Sequence, residues 1–271
     1  MAVTNFIRTI WDAELKQALK KKQVSQEFVN HNYEGTIMGA GSVKINQLAD
    51  VTLRDYDGND ITTEDVATTA TTLNIDHEKY FSVKVDDVDT VQAAGDLRTP
   101  LVNNGATKIA EDEDAYVFST MAKEGTLSVG NSDAIKVTDA AGAKAFLLKM
   151  KTAADKANVP AEDRKFVAPY EFENYLLSDT TINLAAPTAN DTLKAGYVGK
   201  LYGIEIYSSN NCPEGKAILT TPQFTTEARQ LQNIEAIRSE KSFKDIIRGL
   251  AVSGVKVTQP AGVIVGNISF Q

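Results

Sequence analysis

Chemistry in this 271-residue chain would have to come from two histidines, one cysteine and a few acidic runs. Asp76-His77-Glu78 sets three metal-ligand types side by side. Adjacent residues on a strand or loop point apart, and no second histidine lies near in sequence, so the triplet reads as a surface turn. Asp55-Tyr56-Asp57-Gly58-Asn59-Asp60 begins like a calcium loop. It puts Asp60 where that loop needs glycine and Val66 where it needs a bidentate glutamate, so it reads as a solvated hairpin tip. Glu111-Asp112-Glu113-Asp114 falls mid-helix, with Glu113 on the apolar stripe. Acid–base work would need a pocket and a partner; the run reads as a wet helix face, or a face that meets basic groups of another subunit. Cys212 sits in a turn-like Asn-Asn-Cys-Pro stretch with no His/Asn pair to activate it, and reads as a small buried or half-buried side chain. No phosphate-binding glycine loop, nucleophile elbow or dinucleotide fingerprint occurs. The expectation is a protein that is not an enzyme, with no catalytic, cofactor-binding or metal residues.

The elements that carry these residues follow from periodicity. Phe6, Ile10, Trp11, Leu15 and Leu19 form the stripe of an amphipathic helix over 5–22, closed by Lys20-Lys21-Lys22 at the end where cations favour the helix dipole. From Gly35 the pattern turns to short β-like runs (36–38, 43–45, 51–53), and Asp57-Gly58 is a hairpin-turn signal. A threonine-rich polar stretch follows, then alternation from Tyr80 to Val85; residues 35–86 read as a thin β excursion with little core of its own. Thr99-Pro100 starts a helix that Gly125 stops, with Val102, Ala106, Ile109, Tyr116 and Val117 at helical spacing. That helix would be about 36 Å long, long for a chain of this size. Asp139 caps another helix, carrying Phe146, Leu147, Met150 and Ala154 and ending at Asn158-Val159-Pro160. A strand over 165–168, a short helix over 170–177, a strand pair over 196–207 and a β-rich end turning at Pro260-Ala261-Gly262 complete the chain.

Composition excludes whole classes of function. Hydrophobic residues are 42% and charged residues 24%, ordinary for a folded chain. A net charge of −8 lacks the basic footprint of a protein that grips nucleic acid through phosphates. One cysteine cannot make an internal disulfide and suits a reducing cytoplasm. No apolar run reaches signal-peptide or membrane-helix length.

The order of elements, with four stretches in sequence, resembles the major capsid proteins of tailed bacteriophages with the Hong Kong 97-type fold. The stretches are Val85-Asp86-Asp87-Val88-Asp89, the run from Asn158 to Pro169, Gly196 to Gly203 with Tyr207 to Asn210, and Phe243 to Leu250 with Gly254 to Val257. The resemblance covers almost the whole chain. It implies an α+β fold with residues 1–34 as an N-terminal arm and 35–86 as an extended β loop. It further implies a peripheral domain of 87–138 and 242–271 around a long spine helix, and an axial domain of 139–241. The implied function is a coat subunit that assembles with itself, as pentamers and hexamers, into an icosahedral shell around double-stranded DNA.

Implied partners are a scaffolding protein, a portal, decoration or head-completion proteins, and packaged DNA held without sequence-specific contact. No membrane is implied; the location is the virion, after assembly in the host cytoplasm. Some relatives crosslink lysine to asparagine between subunits. Lys44 lies in the excursion, but nothing marks its asparagine or catalytic acid. An encapsulin-like nanocompartment shell is the alternative within the fold; a phage tail or head-completion protein, or a cytosolic enzyme with an unrecognised site, stands outside it. For subunit contacts the protruding parts offer Trp11, Arg54, Asp55, Asp57 and Arg98, with Arg238 and Arg248 in the C-terminal third.

Overall fold

In a computed structural model, residues 23–32, 41–48, 53, 55, 63, 65, 68–86, 98–130, 133–179, 196–238 and 244–270 are described. The amphipathic helix expected over 5–22 and the Asp57-Gly58 turn lie outside them.

The chain first forms a two-stranded antiparallel hairpin, β1 (Ser42–Leu48) and β2 (Thr68–Asn74), with Ser42 opposite Asn74 and Leu48 opposite Thr68. The threonine-rich stretch is therefore partly strand, as β-branched side chains favour. At the hairpin root Val43, Ile45 and Leu73 are buried against Ala228 of the body. A strand β3 (His77–Asp86) and the long helix α1 (Arg98–Glu124, 27 residues) come next. The helix begins one residue before the expected Thr99 cap.

Two short strands, β4 (Leu127–Val129) and β5 (Ile135–Val137), lead to α2 (Ala140–Lys156). Asp139 caps α2 as expected, its Oδ1 accepting from Gly142 N at 2.7 Å. Then follow β6 (Lys165–Ala168), α3 (Tyr170–Leu177), β7 (Tyr197–Leu201), β8 (Ile204–Ser208) and β9 (Lys216–Thr220). Tyr202 and Gly203, at φ 53° and 82°, make the two-residue turn between β7 and β8, the left-handed pair a tight hairpin requires. Two 14-residue strands, β10 (Thr225–Arg238) and β11 (Lys244–Val257), precede the last strand, β12 (Ile264–Phe270).

Two larger sheets organise the body. One is three-stranded in the order β10-β11-β3, with Phe81 opposite Gly249. The Phe81 ring lies over the backbone of both β11 and α1: a Cβ on Gly249 would come within 2.4 Å of the ring, and one on Gly105 within 3.1 Å. That close approach seats the sheet on the long helix. The other sheet runs β4-β12-β9-β6-β8-β7, with β5 also beside β12. Helices α2 and α3 bury Phe146, Leu147, Met150, Phe172 and Leu176. Phe146 meets Phe166 and Phe172 edge to face, and those two tilt against each other, at centroid distances of 5.2 to 6.4 Å.

These pairings depart from the expected boundaries. β3 was placed with the extended loop but pairs with β11, because its apolar alternation has a partner there and none in the hairpin. β10 was placed in the axial piece but also pairs with β11. β12 was placed in the peripheral piece but sits in the larger sheet between β4 and β9.

Candidate assembly site

Three joints tie the slender parts of the chain to its body. The first involves Gln23–Asn30, which the sequence puts in an arm meant to reach over a neighbour. In this stretch Val24, Phe28 and Val29 are instead part of the chain's own main core. Phe28 is fully buried, with Phe118 and Tyr207 edge-on at 5.6 and 5.2 Å. The Asp114 carboxylate accepts from Val24 N at 3.1 Å and Ser25 N at 3.0 Å, capping the short turn Ser25–Glu27. Glu27 pairs with the buried Lys165 at 2.9 Å. Asn30 bridges to Thr226 in parallel, donating to Thr225 O at 2.9 Å while its own carbonyl accepts from Glu227 N at 3.0 Å.

The acidic run on α1 is therefore split. Glu111 stays exposed and pairs with Lys108 at 2.6 Å, while Glu113 and Asp114 are buried inside their own chain. Glu113 accepts from Gln23 Nε2 and lies 3.5 Å from the Arg229 guanidinium. Arg229 also reaches Glu227 at 3.1 Å and Gln23 Oε1 at 2.7 Å. Burial pushes the Glu113 carboxyl up to about 7, with Arg229 opposing, Glu227 and Asp114 adding to the rise, and the Gln23 bond lowering it. Asp114 is also raised by burial, against the hydrogen bonds from Ser25, Val24 and Asn211.

The second joint corrects the reading of Asp76-His77-Glu78 as a surface turn. His77 opens β3, stacks on Tyr116 of α1 at 4.0 Å and 6°, and meets Asp112 Oδ2 at 2.6 Å. Tyr116 donates to Asp76 Oδ1 at 3.3 Å, and Lys79 stands 3.6 Å from Asp112. Burial first, then the Asp76 charge, raises the Tyr116 hydroxyl above its ordinary value.

The third joint is the hairpin root. Gly254 of β11 passes so close to it that a Cβ would come within 2.1 Å of Asn74 O and 3.0 Å of Ile75 Cα.

Of the residues offered for subunit contacts, Trp11, Arg54 and Asp57 lie outside the described residues. Asp55 is exposed, and nearby Leu53 is 95% exposed. Arg98 is the first residue of α1. Arg238 ends β10 opposite Asp245, beside the Lys244–Asp86 pairing of β11 with β3. Arg248 is exposed in mid-β11, between Glu235 and Ser82. Gln23, Glu113, Glu227 and Arg229 form a buried cluster, and the signal available for it was an acid on the apolar stripe of a helix.

Cys212 is buried, its thiol pushed up to about 12 by desolvation, and so is a poor nucleophile. Among the described residues no three His, Cys, Asp or Glu side chains converge to hold a metal ion. No described helix is long and apolar enough to cross a membrane.

Comparison with known proteins places this architecture. The family model described as phage capsid protein matches residues 69–266. A solved structure from Mycobacterium phage Che8 is similar at 31% identity, with 91% of each chain covered and a TM-score of 0.75. The capsid of Ralstonia phage GP4 shares the fold at 13% identity, 92% coverage of each chain and a TM-score of 0.69. So does a virus-like particle from Pyrococcus furiosus, at 12% identity, 98% and 100% coverage and a TM-score of 0.63. No curated protein matches significantly. A long helix under a three-stranded sheet, a two-stranded hairpin and a second mixed sheet are thus the parts of a shell subunit, and the chain belongs to the phage capsid protein family as a structural, non-enzymatic major capsid protein of the Hong Kong 97-like α+β fold.

Proposed function

We propose that the subunits close into pentamers and hexamers through their slender parts, the hairpin of one copy lying over the next. The observation that carries this is the hairpin itself. Among its described residues the buried side chains, Val43, Ile45 and Leu73, lie at the root against Ala228, while Thr68, Ala70 and Leu53 further along are exposed. A lone two-stranded ribbon is marginal in water, and cover by a sister copy at about 25 cal/mol per Å² of apolar surface would stabilise it. Head-to-tail contacts of this kind close into rings by rotation, and many together hold a shell.

In this reading β1–β2 is the extended loop, α1 with β10-β11-β3 the peripheral unit, and the larger sheet with α2 and α3 the axial unit that meets its copies around the symmetry axes. A scaffolding protein would hold the marginal hairpins during assembly in the host cytoplasm, and portal and decoration or head-completion proteins would complete the head. The net charge of −8 fits a wall that encloses DNA without binding it in a sequence-specific way.

Arg54, in the sequence between β1 and β2, is the residue to reverse. The Arg54→Glu variant is expected to lose particle formation at least about tenfold, roughly a 1.4 kcal/mol change per contact set, while circular dichroism and melting of the subunit stay unchanged. Normal shells from that variant would count against the hairpin contact.

A further inference from the structure

The buried seam between Gln23–Asn30, α1 and β10 holds more negative than positive charge. Glu113, Asp114 and Glu227 all lie in it and are at most 4% exposed. The cation that faces Glu113 and Glu227 is Arg229, which divides its guanidinium between them at 3.5 and 3.1 Å and gives a third bond to Gln23. Asp114 is answered by uncharged donors, the Val24 and Ser25 amides and Asn211 Nδ2 at 3.5 Å. Lys165 of β6 is engaged by Glu27, and Tyr207 of β8 donates to Glu205 at 3.1 Å. Glu227 Oε1, fully buried, meets no hydrogen-bond donor among the described residues. One guanidinium shared between Glu113 and Glu227 leaves the three buried carboxylates of the seam short of positive charge, and a proton on Glu113, the carboxyl at the longer 3.5 Å distance, relieves that imbalance.

We propose that Gln23–Asn30 is a proton-dependent clasp, seated on α1 and β10 while Glu113 is protonated and released as Glu113 ionises. Seating is what buries Glu113, since Gln23 lies directly on its carboxyl. Release would return that carboxyl to water and to its ordinary value of 4.5, whereas in the seated state it stands at about 7. A group raised in the closed state stabilises closure fully below its ordinary value, and that contribution is lost progressively as pH rises from there to the closed-state value, above which both states are ionised. The clasp therefore closes in acid and loosens as pH rises to about 7, with little further change beyond. The ratio of seated to released segment should fall on the order of a hundredfold between about pH 5 and pH 8.5.

Hydrogen–deuterium exchange on the full-length folded chain reads this directly. Peptides covering 23–30 are followed across that pH range, corrected for the intrinsic pH dependence of amide exchange, with a peptide from the core of α2 as internal reference. Protection of 23–30 should fall by up to about tenfold per pH unit between about pH 5 and pH 7 and level off above that, while α2 holds. Glu113→Gln, a neutral isostere, should make the protection pH-independent. Glu227→Gln, which removes a neighbouring negative charge, should flatten the dependence in part, and it decides the matter if Glu113→Gln fails to fold. Unvarying protection of 23–30 in the wild type would overturn the clasp, as would an unchanged pH profile in either variant that folds.

Discussion

Phe28 shows at the scale of one residue how the start of the described chain is held. Its ring sits between Phe118 and Tyr207 with no exposure, so its truncation removes both edge-to-face partners and leaves a cavity. Phe28→Ala is expected to cost about 3–5 kcal/mol, read from the denaturant midpoint of the isolated subunit. A loss under about 1 kcal/mol would mean that the segment is not part of the core. Little of this was legible in the sequence. Glu113 was visible as an acid on an apolar stripe, but its partner Gln23 is 90 positions away, and Gln23 is 206 from Arg229. Periodicity is local, and no pattern in the chain couples residues that far apart. Val24, Phe28 and Val29 cluster on a single short turn, too brief to show a period.

At the scale of elements, what is locally determined was readable. The Asp139 cap, the 165–168 strand, the 170–177 helix and the strand pair within 196–207 all rest on neighbours in sequence, and each is where the pattern put it. Strand partners are not local: β3 and β11 meet across more than half the chain, and the alternation in Tyr80 to Val85 says only that one face is apolar. The seat of the hairpin was equally hidden, since Gly254 matters for the side chain it lacks. Asn74 O leaves no room for a Cβ at Gly254, and a backbone carbonyl does not swing aside. Gly254→Val should lift the hairpin root from β11 and cost the subunit about 1–3 kcal/mol in chemical denaturation. Unchanged stability would show that the root is not held where β11 crosses it.

For the whole molecule, the order of elements carried the assignment: slender beginning, thin β excursion, long helix, mixed sheet and return to β. The family match over 69–266 and the 31% identical relative from Mycobacterium phage Che8 agree with that order. The structure differs from the sequence reading at Gln23–Asn30, which is sheltered in the chain's own core, while the described hairpin is buried at its root. The proposed assembly therefore turns on the hairpin, a ribbon whose outer part would need cover from another copy. A cryo-electron microscopy reconstruction of particles assembled from this chain tests it most directly. It should resolve closed icosahedral shells in which the outer half of each Ser42–Asn74 hairpin lies on an adjacent subunit while Phe28 stays between Phe118 and Tyr207 of its own chain. Open tubes, or shells whose hairpins fold back on their own subunit and touch no neighbour, would contradict it.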